Sequence, residues 1–304
     1  MLSRLRWRLA RRRLISPPVT PKKNPKHNII GVVYDFDGTL SPNNMQEDTI
    51  FKAYNIDKDE FWKEAGNHVK RGYERTLAYL KLLIYDDAFQ KKPLSHDTLK
   101  KLACHIEYYP GVEHFFDKIT KFMETMPEVK ENGIQLEHYI ISSGIKEILE
   151  GISIYHHFKR VYASEYDYVS KGPIFPKLVI NDTNKTQFLF RINKGRLDLQ
   201  EDINRHMPDF ERRIPFQNML YIGDSETDIP SMTVVQKYGG HVLAVFDPRK
   251  GVSAGVRDIV EQKRADHFAP ADFSEGGLLD KIVKRILKKI VYTIAYQGSA
   301  EKSL

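Results

Sequence analysis

Four aspartates fall in two short motifs of this 304-residue chain, and their grouping points to a metal ion. Asp35 and Asp37 lie in the segment DFDGTLS, and Asp224 and Asp228 lie in the segment GDSETD. If the two motifs meet in the fold, the four carboxylates repel one another unless a cation neutralises them. Neither motif contains histidine or cysteine, and a ligand set made only of oxygen atoms favours a hard ion such as Mg²⁺.

Buried strands precede both motifs and predict that they do meet. Four β-branched apolar runs end in polar or glycine residues. One begins at Asn28, and the others span 138–144, 218–228 and 239–248. Helical segments, including Val112 to Met126 and Ile145 to His157, separate them. The pattern predicts a doubly wound, Rossmann-like α/β fold with a parallel sheet. In such sheets ligands bind outside the carboxyl ends of the strands, where the aspartates and the serine pair Ser142 and Ser143 lie.

A long helical stretch interrupts the strands between the first and second motifs. Apolar residues recur at helical spacing there, for example at Phe61, Ala65 and Val69, and Pro110 and Gly111 mark the return to the sheet. The expected division is a basic tail over 1–27, a core over 28–43 and 109–275, a helical cap over 44–108, and a C-terminal helix and tail over 276–304.

The ordered motifs DFDGTLS, IISSG, a following lysine and GDSETD resemble those of the haloacid dehalogenase (HAD) superfamily. The resemblance covers residues 28 to about 275. The serine motif is similar to that of the phosphoserine-phosphatase-like members, and a cap between the first two motifs resembles the C1 class. The superfamily also contains dehalogenases, phosphonatases, phosphomutases and ion pumps, so the resemblance does not by itself set the reaction.

The resemblance implies a role for each motif residue. Asp35 would be the nucleophile that forms an aspartyl-phosphate, and Asp37 would protonate the leaving oxygen and later activate water. Asp35, Asp224 and the main-chain carbonyl of Asp37 would hold Mg²⁺, while Asp228 would position the metal through its water shell or orient a lysine. The residues expected to turn the chain near the phosphate or to bind it are Gly38, Thr39, Ser142, Ser143 and Gly144, with Ser142 preferred to Ser143 as the hydroxyl donor.

Two lysines compete for the position that stabilises the phosphoryl group. Both lie in NKTQFLFRINKG, and Lys185 is preferred because Phe188, Leu189 and Ile192 follow it at helical spacing. Lys185 would then open a core-facing helix. Lys194 comes about 13 Å later along that helix, just before the helix stop at Gly195.

The expected activity is Mg²⁺-dependent hydrolysis of a small phosphorylated metabolite. An acid two residues after the nucleophile resembles the phosphatases and mutases of the superfamily. Two alternatives stay open: phosphotransfer to a second small molecule, and a phosphatase-like module tethered to nucleic acid or an anionic membrane by its basic tail. The substrate is not indicated, although His68, Arg71 and Arg75 of the cap, and Glu47, are candidates for contacting it.

The charge of the chain is concentrated at its start. Residues 1–34 carry nine of the 47 lysines and arginines and no acidic residue, so the remainder is slightly acidic, and its core is not expected to bind nucleic acid. The front segment suits a solvated tail, an Arg-rich transit peptide or an anionic-surface contact. No apolar run approaches a bilayer span, so membrane contact is not expected.

The one cysteine, Cys104, fits a reducing, cytoplasmic location and is expected to be buried. Oligomeric state is not indicated.

The segment Leu278 to Ile294 has an apolar face opposite a row of lysines and arginines. It predicts an amphipathic helix. Packing against the core is the first interpretation, and contact with a partner helix or a membrane surface is the second.

Overall fold

A seven-stranded sheet forms the centre of the molecule. The computed structural model describes residues 27–170, 172–252 and 254–301. The strands have the order β4-β3-β2-β1-β5-β6-β7, and neighbours are parallel except for the antiparallel pair β3 and β4. Their bounds are β1 Ile29–Tyr34, β2 Gln135–Ile145, β3 Phe158–Val169, β4 Gly172–Leu178, β5 Met219–Gly223, β6 His241–Phe246 and β7 His267–Pro270.

Helices cover both faces of the sheet. Their bounds are α1 Lys52–Tyr54, α2 Lys58–Lys70, α3 Arg75–Tyr85, α4 Asp87–Lys91, α5 His96–Leu102, α6 Val112–Glu124, α7 Pro127–Glu131, α8 Lys146–Leu149, α9 Lys185–Lys194, α10 Ile229–Lys237, α11 Ala254–Glu261 and α12 Leu278–Glu301. A π-helical segment, Glu47–Phe51, leads into α1. The doubly wound, Rossmann-like α/β fold predicted from the sequence is confirmed.

Strand β1 lies at the switch point of the sheet, between β2 and β5. Its side chains alternate between two buried cores, with Ile30, Val32 and Tyr34 on one face and Val33 on the other. A parallel strand buried on both faces reads as a continuous apolar run, which is why this strand was recognisable in the sequence. The carboxyl end of β1 therefore opens beside those of β2 and β5.

The chain between β1 and α6 is helical, and side chains cap its helices. Asp57 accepts a hydrogen bond from the N–H of Glu60 at the start of α2, and Glu74 accepts one from Leu77 at the start of α3. The β3–β4 hairpin packs against this helical segment, where the hydroxyl of Tyr166 donates to the carbonyl of Leu80 at 3.0 Å. The helical segment is thus joined to the sheet by the hairpin as well as by its own two ends.

Three details differ from the sequence prediction. The helix expected over Ile145 to His157 is reduced to α8 and a 3-10 turn at Tyr155–His157, because β2 continues to Ile145 and α8, which packs against α5, ends at Leu149. Cys104 is exposed, since it is the neighbouring Ala103 that turns into the core. Strands β3, β4 and β7 are the third difference, since the sequence pattern predicts only the other four strands.

The C-terminal helix α12 packs on the sheet face that contains Ile30, Val32 and Tyr34. Its buried residues are Leu279, Val283, Ile286, Leu287, Ile290, Val291 and Ile294. They form the predicted apolar face, and its packing against the core agrees with the first of the two interpretations. None of the helices in the described part of the chain has the length and apolar content that a membrane span requires. The basic tail expected over 1–27 lies, apart from His27, outside the described residues.

Truncation of Leu287 tests how far the fold depends on α12. Leu287 is fully buried, so Leu287→Ala should lower the free energy of unfolding by about 2–5 kcal/mol through lost burial and a cavity. Urea denaturation followed by circular dichroism measures the change. Lys281→Ala, on the exposed face of the same helix, is the control and should change stability by less than about 0.5 kcal/mol. Equal stability of the two variants would contradict core packing by α12.

Candidate active site

The carboxyl ends of β1, β2 and β5 bring the predicted motifs together. Tyr34, the last residue of β1, is in register with Ile140 of β2 and Ile222 of β5. The N–H of Asp35 continues the ladder by donating to the carbonyl of Ile222 at 3.0 Å. Asp35 is therefore fixed by the sheet itself, and Asp224 follows β5 on the adjacent strand.

Three of the four predicted aspartates form one cluster. Asp35, Asp224 and Asp228 each offer a carboxylate oxygen within 4.8 Å of the other two. Lys185 lies against this cluster, with its Nζ 3.0 Å from Oδ1 of Asp35 and 2.8 Å from Oδ1 of Asp228. Lys185 is 1% exposed and Asp228 is fully buried, so water does not screen this interaction.

Asp228 is held on both of its oxygens. Besides Lys185, the hydroxyl of Tyr221 donates to Oδ1 at 2.7 Å, and the N–H of Asp224 donates to Oδ2 at 3.2 Å. Through these contacts Asp228 orients Lys185 and the Asp224 loop. Tyr221 was missed in the sequence because a tyrosine inside an apolar strand looks like an ordinary core residue.

Asp37 stands apart from the three-carboxylate cluster. Its Oδ1 accepts a hydrogen bond from the N–H of Met45 at 2.9 Å, at the start of the helical segment. Met45 also reaches the second motif, where its Sδ accepts from the N–H of Ile145 at 3.1 Å. Met45 thus links the Asp37 carboxylate to the turn that follows Ser142, a long-range link for which the sequence holds no signal.

Gly38 and Thr39 shape the turn after β1. Gly38 has φ of +79°, and a Cβ built on it would lie 2.2 Å from Oδ2 of Asp224, so only glycine fits. Thr39 is fully buried, and its hydroxyl donates to Oδ1 of Asp224 at 3.3 Å. In this structure Thr39 supports Asp224, and its predicted proximity to the phosphate stays a prediction.

The serine motif lines the same cavity as the aspartates. Ser142 is 1% exposed, and its Oγ accepts from the N–H of Gly144 at 2.9 Å, which closes a tight turn. The carbonyl of Ser143 accepts from the hydroxyl of Tyr79 at 2.6 Å, so α3 is tied directly to this turn. Both serines and Gly144 reach the cavity, and the preference for Ser142 over Ser143 stays a prediction.

Burial and mutual repulsion raise the pKa values of three acids of the site. The pKa of Asp35 is raised to about 7, first by burial and then by the charge of Asp228, against the lowering effect of Lys185. Burial is likewise the largest cause that raises the pKa of Asp37 and of Asp224, and neighbouring carboxylates add to it. For Lys185, burial lowers the pKa, but Asp228 and Asp35 more than offset this, so the ammonium is retained. One lysine against four aspartates leaves negative charge that a bound cation would neutralise.

Of the two candidate lysines, only Lys185 lies at the cluster. The Asn181 and Asn184 side chains each accept from the other's N–H, at 2.9 Å and 2.7 Å, and so fix the loop that opens α9 with Lys185 as its first residue. Lys194, at the far end of α9, donates instead to the carbonyls of Ile203 and Arg205. The helix places the two ammonium groups in different surroundings.

A cavity of about 1010 Å³ lies above the cluster, with α2 and α3 along one side. Of the candidates in the helical segment, Arg75 and Glu47 line it. His68 is buried against Tyr73 instead, with ring centroids 5.1 Å apart, and Arg71 pairs with Glu64 at 2.9 Å. The lining also contains residues that the sequence did not single out, among them Gln46, Lys58, Trp62, Lys70, Tyr79, Asp182 and Lys250.

Comparison with known proteins agrees with this arrangement. The family model described as haloacid dehalogenase-like hydrolase matches residues 32–233. An uncharacterized protein of Borreliella burgdorferi is 28% identical over 294 residues, which cover 89% of this chain and 100% of that protein. The crystal structure of a probable phosphoserine phosphatase from Vibrio cholerae, in its unliganded form, has a TM-score of 0.52 at 15% identity and covers 90% of this chain and 68% of that one, a similarity of fold. With both aspartate motifs at the switch point and the family match spanning most of the sheet, the chain belongs to the haloacid dehalogenase-like hydrolase family.

Proposed function

We propose that this chain hydrolyses phosphate monoesters of a small metabolite with Mg²⁺, through an aspartyl-phosphate on Asp35. The observation that carries the proposal is the ion-pair cluster at the floor of the cavity. There Lys185 contacts Asp35 and Asp228 within 3.0 Å, and Asp224 lies beside them. A buried carboxylate next to a fixed ammonium suits phosphoryl transfer, in which positioning and charge stabilisation supply most of the catalysis.

In the first step, an oxygen of Asp35 attacks the phosphorus and the bond between phosphorus and the ester oxygen breaks. Lys185 neutralises charge on the phosphoryl oxygens during the transfer, and Asp228 keeps Lys185 in place. Asp37 gives a proton to the departing oxygen, which leaves as an alcohol. The products of this step are the free alcohol and phosphorylated Asp35.

In the second step, Asp37 takes a proton from water and the resulting hydroxide attacks the phosphorus. The bond between phosphorus and Asp35 breaks, inorganic phosphate leaves, and the Asp35 carboxylate is restored. The hydrogen bond from Met45 holds Asp37 at the edge of the cluster, clear of the ion pair, where it can serve both proton transfers.

The metal that suits this site is Mg²⁺, because every available ligand is an oxygen atom. Asp35 and Asp224 would hold it together with the main-chain carbonyl of Asp37, since both oxygens of Asp228 are already hydrogen-bonded. When bound, it supplies positive charge that neutralises the phosphate and the carboxylates around it. Thr39 supports this arrangement by its hydrogen bond to Asp224, and Gly38 by leaving room for the Asp224 carboxylate.

The surroundings of the cluster suit a small phosphorylated molecule. Ser142, Ser143 and Gly144 line the cavity on the β2 side, where a serine hydroxyl would donate to phosphate oxygens. We propose that residues 44–108 act as a C1-type cap over the core formed by 28–43 and 109–275, because α2 and α3 form one side of the same cavity. A cover of this kind excludes bulk water and large substrates.

Replacement of the nucleophile tests the proposed function directly. Asp35→Asn keeps the size of the side chain and should lower phosphatase turnover at least about 10³-fold, since no other group would accept the phosphoryl. Hydrolysis of 4-nitrophenyl phosphate, followed by its colour, measures the loss. Asp97→Asn, at an exposed position of the helical segment, is the matched control and should retain turnover. Wild-type turnover by a folded, purified Asp35→Asn protein would contradict the mechanism.

The two lysines of α9 should differ sharply. Lys185→Ala removes the charge beside Asp35 and should lower kcat by about 10²–10³-fold. Lys194→Ala should change kcat little, because Lys194 donates only to carbonyls of the loop after α9. Circular dichroism should accompany both measurements, since loss of a buried ion-pair partner also reduces stability. A severe loss in the Lys194 variant alone would reverse the assignment.

Removal of divalent metal should stop turnover. EDTA is expected to abolish hydrolysis of 4-nitrophenyl phosphate, because the carboxylates then repel the substrate phosphate, and added Mg²⁺ should restore it. EDTA mixed with excess Mg²⁺ is the control and should have no effect. Undiminished turnover in the chelator would refute the metal site.

A further inference from the structure

A buried carboxamide in the cavity lacks the partner that burial normally requires. Gln46 lies one residue after Met45, is 3% exposed and lines the cavity. Its Oε1 accepts no hydrogen bond from any residue that the structure describes. An unsatisfied buried acceptor costs free energy, so its presence calls for a reason.

The position of Gln46 distinguishes it from other unpaired groups. The described chain contains further buried polar atoms without a partner, such as Nε2 of His138 and Oδ1 of Asn193, but of these side chains only Gln46 lines the cavity above Asp35. A donor that would satisfy the other groups has no route to them through this cavity. For Gln46, a molecule bound in the cavity can provide the donor.

The neighbours of Gln46 place it close to the proton-transfer group. Tyr79, which ties α3 to the carbonyl of Ser143, has a raised pKa: burial is the largest cause, the charge of Asp37 adds to it, and a hydrogen bond from Gln46 opposes it. Met45, whose N–H donates to Oδ1 of Asp37, directly precedes Gln46, so the backbone also places Gln46 near Asp37. Only an N–H of the carboxamide can act on Tyr79 as a donor, and Oε1 stays unpaired.

This geometry bears on the alcohol half of the substrate. Asp37 would meet the ester oxygen as it departs, so a group beside Asp37 and Tyr79 faces the first carbons of the alcohol. An apolar side chain of the same length could fill this space without an unpaired oxygen. The N–H that Gln46 offers to Tyr79 accounts for a polar side chain here but not for its unpaired oxygen, which a donor in the cavity would satisfy.

Resting on the proposed function, we infer that Oε1 of Gln46 accepts a hydrogen bond from a donor on the alcohol half of the substrate. The substrate class is then the phosphate esters of polyols and amino alcohols, which carry a hydroxyl or ammonium group near the ester oxygen. Simple alkyl phosphates lack this donor and would leave the Gln46 oxygen unpaired.

Three phosphate esters of equal length test the inference. In 2-hydroxyethyl, 2-aminoethyl and propyl phosphate the terminal group is a hydroxyl, an ammonium or a methyl. The wild-type protein with Mg²⁺ should show a kcat/KM about tenfold higher for at least one donor-bearing ester than for propyl phosphate. The better of the two donor-bearing esters identifies the donor. Equal kcat/KM for all three esters would overturn the inference.

Substitution of Gln46 separates this role from a structural one. Gln46→Met keeps the length of the side chain and removes the acceptor, so the ratio of kcat/KM between donor-bearing and propyl esters should fall to about one. Gln135→Met, at the amino end of β2 and exposed, is the control and should keep the wild-type ratio. An unchanged ratio in Gln46→Met would contradict the inference. If Gln46→Met does not fold, Gln46→Ala and the wild-type comparison provide the same test.

A binding measurement keeps this inference distinct from the proposed function. Calorimetric titration of the three esters into Asp35→Asn with Mg²⁺ needs no turnover. If the wild-type protein hydrolyses no ester, the proposed phosphatase activity fails, yet a preference of about tenfold in Kd for a donor-bearing ester would still support the role of Gln46. Equal Kd values would reject it.

Discussion

The buried ion pair between Lys185 and Asp35 is the interaction on which the rest of the site depends. Both groups lie at the floor of the cavity, almost without exposure to water, and Asp228 accepts from the same ammonium. Charges removed from water in this way are stable only when each has a well-placed partner. The sheet provides that placement, since Asp35 directly follows β1 at the switch point, β5 leads into Asp224 and Asp228, and Lys185 opens α9. The fold therefore sets the positions of the charges in the cluster.

The sequence predicted the parts of the fold that follow from local pattern. Strands β1, β2, β5 and β6 were recognisable because each is an apolar run with an abrupt polar or glycine end. Strand β3 was missed because charged residues interrupt it, so it is not the continuous apolar run by which the other strands were recognised, and β7 because four residues carry too little pattern. The helix expected over Ile145 to His157 was wrong because extension of β2 and contact of α8 with α5 overrode local helical spacing. Weak local pattern explains the two missed strands, and tertiary contacts explain the shortened helix.

The candidate site was likewise predictable only where local pattern and chain order determine it. The motif residues reach one cavity because chain order and a parallel sheet together bring strand ends to one edge, and Lys185 could be preferred to Lys194 from its position at the start of a core-facing helix. The contacts of Met45, Tyr221 and Gln46 could not be predicted, because each depends on a partner that only the folded chain brings near. Their residue types are also those of ordinary core or loop positions.

The central claim is that the phosphoryl group passes through Asp35, and capture of that intermediate tests it most directly. The variant Asp37→Asn lacks the group that activates water, so the intermediate should accumulate when 4-nitrophenyl phosphate, whose leaving group needs little protonation, is the substrate. Acid quenching, proteolysis and mass spectrometry would then locate the phosphate. The account predicts an additional phosphoryl group on the peptide that contains Asp35, removable by hydroxylamine, and none in the Asp35→Asn, Asp37→Asn double variant. Phosphate on another residue, or turnover with no covalent phosphate at any time point, would contradict it.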